Sequence, residues 1–199
     1  MSSSFSSIAS SQTLPAEQIA SASHYLQDTR DALVDSVVGL SAQQWEFKPA
    51  PDRWSIAEIV EHLVIIEGRV HALVGKIGDA PEPPAEWDQA EMDARILREV
   101  PDRSARVQAP AVLCPTQAWS RTEALERFFK TRERTIQLLS TPSLRGHVLP
   151  HPIMGFWDGY QWLVAAGAHG MRHTGQILEL KNSPNFPQRA NGAPAPASE

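Results

Sequence analysis

Apolar residues recur at steps of three and four along four segments of the chain, which is the spacing of amphipathic α-helices. In chain order, the four predicted helices cover residues 15–38, 56–77, 121–139 and 158–181. A weaker helical stretch covers 87–100 within the long connection 79–118, and no segment shows sustained strand alternation. The pattern predicts an all-α fold, a four-helix bundle whose long connections replace a simple up-down order.

Start and stop signals support the predicted helix boundaries. Ser55 with Glu58, and Ser120 with Glu123, form the Ser-x-x-Glu capping box at the starts of the second and third helices. Gly39 follows the first helix, where glycine favours a helix end.

The two ends of the chain lack the apolar residues that would order them against a core. Residues 1–13 are rich in serine, and residues 183–199 are rich in proline, alanine and asparagine. We therefore expect flexible tails at 1–13 and 183–199 that flank one bundle domain over 14–182.

Composition narrows the class of protein. The 199-residue chain carries a formal net charge of -5, and acidic surfaces bind nucleic acid and anionic membranes poorly. No run approaches the roughly 18 apolar residues that a membrane-spanning helix needs. The serine-rich start does not resemble a secretory signal, and Cys114 is the only cysteine, so no intrachain disulfide can form. We expect a cytoplasmic protein that binds neither nucleic acid nor membrane.

Three histidines are the strongest candidates for chemistry. His169 and His173 lie one turn apart on the inner stripe of the last helix, with Cβ atoms about 5–6 Å apart. His62 interrupts the apolar stripe of the second helix in the same manner. Three imidazoles from two helices match a catalytic zinc site with open positions. The alternative is a set of core histidines that are satisfied by hydrogen bonds, because His-x-x-x-His is short and often accidental.

The motifs around these histidines resemble the DinB/YfiT-like superfamily of metal-binding four-helix bundles. The matching segments are residues 54–63 (WSIAEIVEHL), 155–163 (GFWDGYQWL) and 169–177 (HGMRHTGQI), and the resemblance covers roughly 15–182. It implies an up-down-down-up order of helices. It also implies a divalent ion, commonly zinc or nickel, bound by the matching His62, His169 and His173. Frequent homodimers are a further implication.

Four other residues are candidates for roles around the ion. Glu58 and Gln176 lie within one turn of His62 and His173, so each is a candidate partner for the second nitrogen of that ring. The alternatives are helix capping for Glu58 and simple exposure for Gln176. Arg172 is a candidate for binding an anionic substrate, and His151 for proton transfer or a fourth ligand. Their alternatives are a salt-bridged arginine and a solvent-facing loop histidine.

Two functions from different classes follow from this site. The first is a metal-dependent enzyme, a transferase that uses a low-molecular-weight thiol or a hydrolase, acting on a small molecule. The second is a non-catalytic stress-response or binding module with a structural metal. A third interpretation, a helical interaction protein with an accidental histidine cluster, stays open at this point.

Overall fold

The computed structural model describes residues 13–105, 107–116 and 119–188. Within them lie six α-helices: α1 (Ala16–Val37), α2 (Ala42–Glu46), α3 (Ile56–Val74), α4 (Gln89–Glu99), α5 (Arg121–Leu138) and α6 (Gly159–Lys181). The short strands β1 (Leu149–His151) and β2 (Gly155–Trp157) pair antiparallel before α6. The all-α prediction is confirmed, and α1, α3, α5 and α6 correspond to the four predicted helices.

Helices α1 and α6 run parallel to each other. Gly167 faces Leu26, because a Cβ built on Gly167 would lie 3.1 Å from Leu26 Cδ2. Further along both helices, Lys181 Nζ donates to the carbonyl oxygen of Ser36 at 2.8 Å. Residue numbers therefore increase in the same direction along the two helices.

Helices α3 and α5 are also parallel to each other, and they run opposite to α1. Arg132 contacts Glu67, and one turn later Thr135 contacts His71 at 2.9 Å. Arg132 also donates to the carbonyl of Leu26, whereas Arg121, at the start of α5, donates to the carbonyl of Leu40, just after α1. The bundle therefore has the up-down-down-up order that the family resemblance implied.

Local signals explain where the helices begin and end. Ser55 Oγ accepts the Glu58 N–H at 3.2 Å and Glu58 Oε2 accepts the Ser55 N–H at 2.7 Å, so the predicted capping box of α3 is formed. Asp158 and Gln161 form an equivalent box at the start of α6. Gly39, after α1, has a φ of 69°, a left-handed conformation that glycine adopts without strain.

Two clusters of buried apolar residues fill the bundle, and buried polar residues separate them. The first cluster includes Leu26, Val70, Leu138 and Leu163, and the second includes Leu33, Leu63, Phe128 and Ile177. The buried polar residues between the clusters are Thr29 on α1, Glu67 on α3, and Arg132 and Thr135 on α5. No helix of the described chain is both long enough and apolar enough to cross a membrane.

The structure extends the predicted domain at its C-terminal end. Phe186, which the sequence assigned to the tail, is 8% exposed, and its ring packs edge-on against Phe47 at 5.4 Å. Gln44 Nε2 donates to the carbonyl of Pro187 at 2.9 Å. The chain therefore still contacts the bundle beyond residue 182, because one aromatic residue in a polar, proline-rich stretch packs against it. Residues 1–12 and 189–199 of the predicted tails lie outside the described residues.

The hairpin and α2 are elements that the sequence patterns did not predict. Each strand has only three residues, which is too few to show alternation of apolar and polar positions. Gly155 opens β2 with a φ of 83°. Helix α2 is a five-residue helix, too short for a 3.6-residue period to appear.

Candidate metal centre

His62 on α3 meets His169 and His173 on α6. One ring nitrogen from each of the three side chains lies within 4.8 Å of the other two. The ring centroids are 5.3 Å apart for His62 and His169, 4.9 Å for His62 and His173, and 4.5 Å for the pair on α6. The antiparallel packing of α3 and α6 therefore brings the three predicted ligands together at one point.

The spacing of the nitrogens suits a shared metal ion. The Nε2 atoms of His169 and His173 are 3.2 Å apart. A tetrahedral zinc ion with Zn–N bonds of about 2.0–2.1 Å places its nitrogen ligands about 3.3–3.4 Å apart. Without an ion, the same contact is an N–H···N hydrogen bond between the two rings. In both cases the two Nε2 atoms face each other.

The opposite side of two rings is fixed by hydrogen bonds. His62 Nδ1 is 2.7 Å from the carbonyl oxygen of Leu113, and His173 Nδ1 is 2.8 Å from Gln176 Oε1. Each Nδ1 donates to its acceptor, so Nε2 is the unprotonated nitrogen of both rings and the one that can bind a metal. Gln176 therefore has the contact that the sequence predicted. Leu113 was not predicted, because a backbone carbonyl contributes nothing to a side-chain pattern.

His169 differs from the other two histidines in its hydrogen bonding. Its Nδ1 is buried and has no partner within the described chain. His169 therefore lacks the orienting contact at Nδ1 that His62 and His173 have. Three imidazoles without a carboxylate suit zinc, nickel and related first-row ions better than magnesium or calcium.

The electrostatic environment keeps the three imidazoles neutral. Burial lowers the pKa of His62 and lowers that of His169 well below its usual value. Burial, followed by the nearby His62 ring, lowers the pKa of His173 to about 3. A neutral imidazole is the form that binds a metal, so at neutral pH none of the three rings carries the positive charge that would repel an ion.

A tryptophan covers the histidines, and a cleft lies beside them. The Trp54 ring lies 4.6 Å from that of His62 and 6.2 Å from that of His173. The cleft has a volume of about 260 Å³ and includes Gln176, the partner of His173. Its lining residues are Pro49, Ala50, Arg53, Gln176, Glu179, Leu180 and Ser183.

Glu58 lies one turn from His62 but is held by other groups. Its carboxylate accepts from the Ser55 N–H and from Lys48 Nζ, the latter at 2.8 Å. The second nitrogen of His62 instead contacts Leu113. The structure therefore places Glu58 in the helix cap, which was the alternative interpretation, and away from the His62 Nδ1 contact.

Arg172 and His151, the two catalytic candidates, lie against other parts of the fold. Arg172 donates to the carbonyl of Ala105 at 2.8 Å. His151 is in β1, where its ring stacks on Trp157 at 3.9 Å and its Nδ1 accepts the N–H groups of Ile153 and Met154. These contacts do not join either residue to the three-histidine cluster.

Comparison with known families agrees with this geometry. A family model described as the DinB superfamily matches residues 25–177, a range that includes all three histidines. The chain belongs to the DinB superfamily. The uncharacterized protein YuaE of Bacillus subtilis (strain 168) is 27% identical over 147 residues, which cover 72% of this chain and 86% of YuaE. The resemblance indicated by the three sequence motifs is thereby confirmed.

The histidines of this DinB-superfamily chain lie beside a buried ion pair. Arg132 and Glu67 are 0% and 1% exposed, and Arg132 Nε lies 2.9 Å from Glu67 Oε1. Arg132 Nη1 also donates to Leu26 O and Thr29 Oγ1, and Thr135 Oγ1 donates to Glu67 Oε2. The sequence does show Arg132 as a charged residue within an otherwise apolar helix stripe. The sequence patterns alone did not indicate which residues it contacts.

Proposed function

We propose that this chain binds one divalent metal ion, zinc or nickel, through Nε2 of His62, His169 and His173, and uses it to activate a small molecule. The observation that carries the proposal is the convergence of three neutral imidazole nitrogens, from two helices, within 4.8 Å. The 3.2 Å between the Nε2 atoms of His169 and His173 supports it, because two nitrogen ligands of one tetrahedral zinc ion lie about as far apart.

The chain's own residues prepare the site for this role. Leu113 and Gln176 hold the rings of His62 and His173, so their nitrogens are oriented before an ion arrives. Within the described chain no carboxylate or thiol joins the three-histidine group, so coordination positions stay available to substrate. A divalent ion at such a site supplies Lewis acidity and lowers the pKa of a water or thiol that it binds.

The reaction class we favour is group transfer with a low-molecular-weight thiol, or hydrolysis. The cleft beside His173 offers a place for the rest of the substrate. Because Gln176 Oε1 accepts from His173, its amide N–H groups remain available as donors, and Arg53 adds a guanidinium to the same lining. Donors of this kind recognise carboxylates, which small thiols and their conjugates often carry. A homodimer and a cytoplasmic location remain predictions of the sequence.

A second candidate is a non-catalytic module with a structural metal. The observation that favours it is burial, since His62 and His173 are 3% and 6% exposed and Trp54 covers both rings. In that case no coordination position of the ion would be open to water or substrate. A chelator would then lower the stability of the protein, and there would be no enzymatic turnover for it to abolish.

The test compares His173→Ala with His151→Ala after purification without affinity tags or chelators. Wild type and His151→Ala are expected to hold about one ion per chain, while His173→Ala loses most of it. Metal content is measured by elemental analysis on the folded proteins. Equal metal content in the two variants would refute the site. Chelator-sensitive turnover on a panel of thiol acceptors and esters then separates the enzyme from the structural-metal module.

A further inference from the structure

A short segment outside the bundle contacts two consecutive residues of α3 at the metal centre. This segment, Ala111–Thr116, is called the strap, and it begins with a turn of 3-10 helix at Ala111–Leu113. Its Leu113 carbonyl accepts from His62 Nδ1, and its Thr116 contacts Glu61, the residue before His62. The strap is therefore attached to α3 at the residue that supplies one metal ligand and at the neighbouring residue.

The attachment to Glu61 is made of two hydrogen bonds to one oxygen. The backbone N–H and the side-chain hydroxyl of Thr116 both donate to Glu61 Oε1, each at 2.8 Å. Glu61 is 3% exposed, so these bonds form to a carboxylate that has left water. Hydrogen bonds to a buried charged acceptor are stronger than neutral ones, and a buried carboxylate without its donors is costly.

Apolar burial does little to hold the strap in place. None of its six residues is buried, and Val112 is 85% exposed. Only two residues separate Leu113 from Thr116, and Cys114 between them is extended. The position of Thr116 consequently limits where the Leu113 carbonyl can lie relative to the His62 ring.

We propose that Glu61 is a positioning residue for the metal centre. By holding Thr116, it keeps the Leu113 carbonyl against His62 Nδ1, which fixes the tautomer of His62 that presents a bare Nε2 to the ion. The metal part of this inference rests on the proposed function. The tautomer part does not, because it concerns the protein without metal.

The experiment compares Glu61→Ala with Glu58→Ala in the full chain. Both residues are buried carboxylates on α3 near His62, and the contacts of Glu58 include Ser55 and Lys48. The first measurement is the nitrogen-15 NMR signature of the His62 tautomer in the metal-free protein. The second is the zinc dissociation constant by chelator competition. Glu61→Ala is expected to mix the tautomers and weaken zinc binding about tenfold, the scale seen when a ligand loses its orienting partner.

Three further variants keep the test decisive if Glu61→Ala folds poorly. Thr116→Val removes the hydrogen bond from the hydroxyl group and keeps the one from the backbone N–H. It should therefore change the His62 tautomer signature and the zinc affinity in the same direction as Glu61→Ala, but by less. Thr116→Ser retains both bonds and should match wild type. Glu61→Gln keeps an acceptor oxygen for Thr116 and should recover most of the zinc affinity. A Thr116→Val protein that matches wild type in both measurements contradicts the proposal.

The outcomes separate this inference from the proposed function. If wild type binds no zinc but Glu61→Ala still mixes the His62 tautomers, the proposed function fails and the positioning role stands. If wild type binds zinc and Glu61→Ala leaves both measurements unchanged, the positioning role fails and the metal centre stands. Equal weakening by Glu58→Ala and Glu61→Ala would also overturn the proposal, since general destabilisation would then explain both.

Discussion

Two buried polar clusters lie next to each other in this bundle, and they differ in how their polar atoms are used. In the ion pair of Glu67 and Arg132, the guanidinium and the carboxylate find partners on all four bundle helices, including the carbonyl of Ala166. In the three-histidine cluster, one Nδ1 has no partner in the described chain and the two Nε2 atoms on α6 face each other. The first cluster is complete within the protein, whereas the second presents three ring nitrogens that converge on one point.

The proposed function assigns the histidine cluster to a ligand and leaves the ion pair to the fold. A buried charge network is tolerated when every member is satisfied, and breaking it is costly. Three neutral imidazole nitrogens that converge with no carboxylate among them, as in the described chain, form a set that a first-row divalent ion can bind. On this proposal, adjacent positions on the same helices have separate roles, and each role can be tested by removing one residue.

The largest expected effect is on stability, from Arg132→Ala. The substitution leaves Glu67 buried without its counter-charge, a change that costs about 3–5 kcal/mol in comparable pairs. Arg127→Ala is the matched control on the same helix, because Arg127 pairs with Glu123 at the surface and such pairs contribute about 0.3–0.5 kcal/mol. Urea unfolding of the metal-free proteins measures both changes.

The same variant also tests the proposed division of roles. Under conditions where Arg132→Ala remains folded, its zinc affinity should stay close to that of wild type, because Arg132 does not contact the Nε2 atoms. If Arg132→Ala costs no more stability than Arg127→Ala, the ion pair is not a structural element. If it folds fully but loses zinc, the two clusters are one functional unit.

The sequence predicted the helical part of the fold well. Amphipathic stripes, the Ser55 capping box and Gly39 located the ends of the bundle helices to within three residues. His62, His169 and His173 were identifiable because each is a polar residue within an apolar stripe. Their convergence depended on the antiparallel packing of α3 and α6, which the family motifs implied and periodicity alone did not.

What the sequence missed consists of contacts between distant segments. The Leu113 carbonyl reaches His62 from 51 positions away in the chain, and Thr116 reaches Glu61 from 55 positions away. Backbone groups leave no periodic pattern in the sequence. The path of a loop depends on the distant residues to which it is hydrogen-bonded. Phe186 illustrates the same limit, since one buried aromatic residue orders a segment whose composition predicts a flexible tail.

An intermediate effect is expected from Gln176→Ala at the histidine cluster. The substitution removes the acceptor of His173 Nδ1–H, so the ring loses its fixed orientation, and zinc affinity should fall about 10- to 100-fold. Gln176→Glu is the matched control, because its carboxylate accepts the same hydrogen bond and should keep or raise the affinity. Chelator competition measures both. Equal weakening by the two variants would show that the hydrogen bond does not orient His173.

The smallest expected effect concerns His151, a partly buried imidazole that already has partners. Burial lowers its pKa to about 4, so the folded state favours the neutral ring while the unfolded chain binds a proton near pH 6.5. Its stabilising contribution is therefore complete above pH 6.5 and decreases as the pH falls towards 4. Because the ring is partly exposed, the decrease should be less than about 1.4 kcal/mol per pH unit.

The measurement is the difference in unfolding free energy between wild type and His151→Gln as a function of pH. The carboxyl of Asp158, whose pKa burial raises to about 6, works in the opposite direction, since the folded state then binds the extra proton between pH 6 and 4. Asp158 is present in both proteins, so its contribution cancels in the difference.

We expect the difference in unfolding free energy to shrink on acidification. Metal content should stay at the wild-type level, because His151 Nδ1 already accepts two backbone N–H groups. A loss of metal in His151→Gln would instead show that His151 takes part in the metal centre. The hydrogen-bonded His151 would then no longer differ in role from the three clustered histidines.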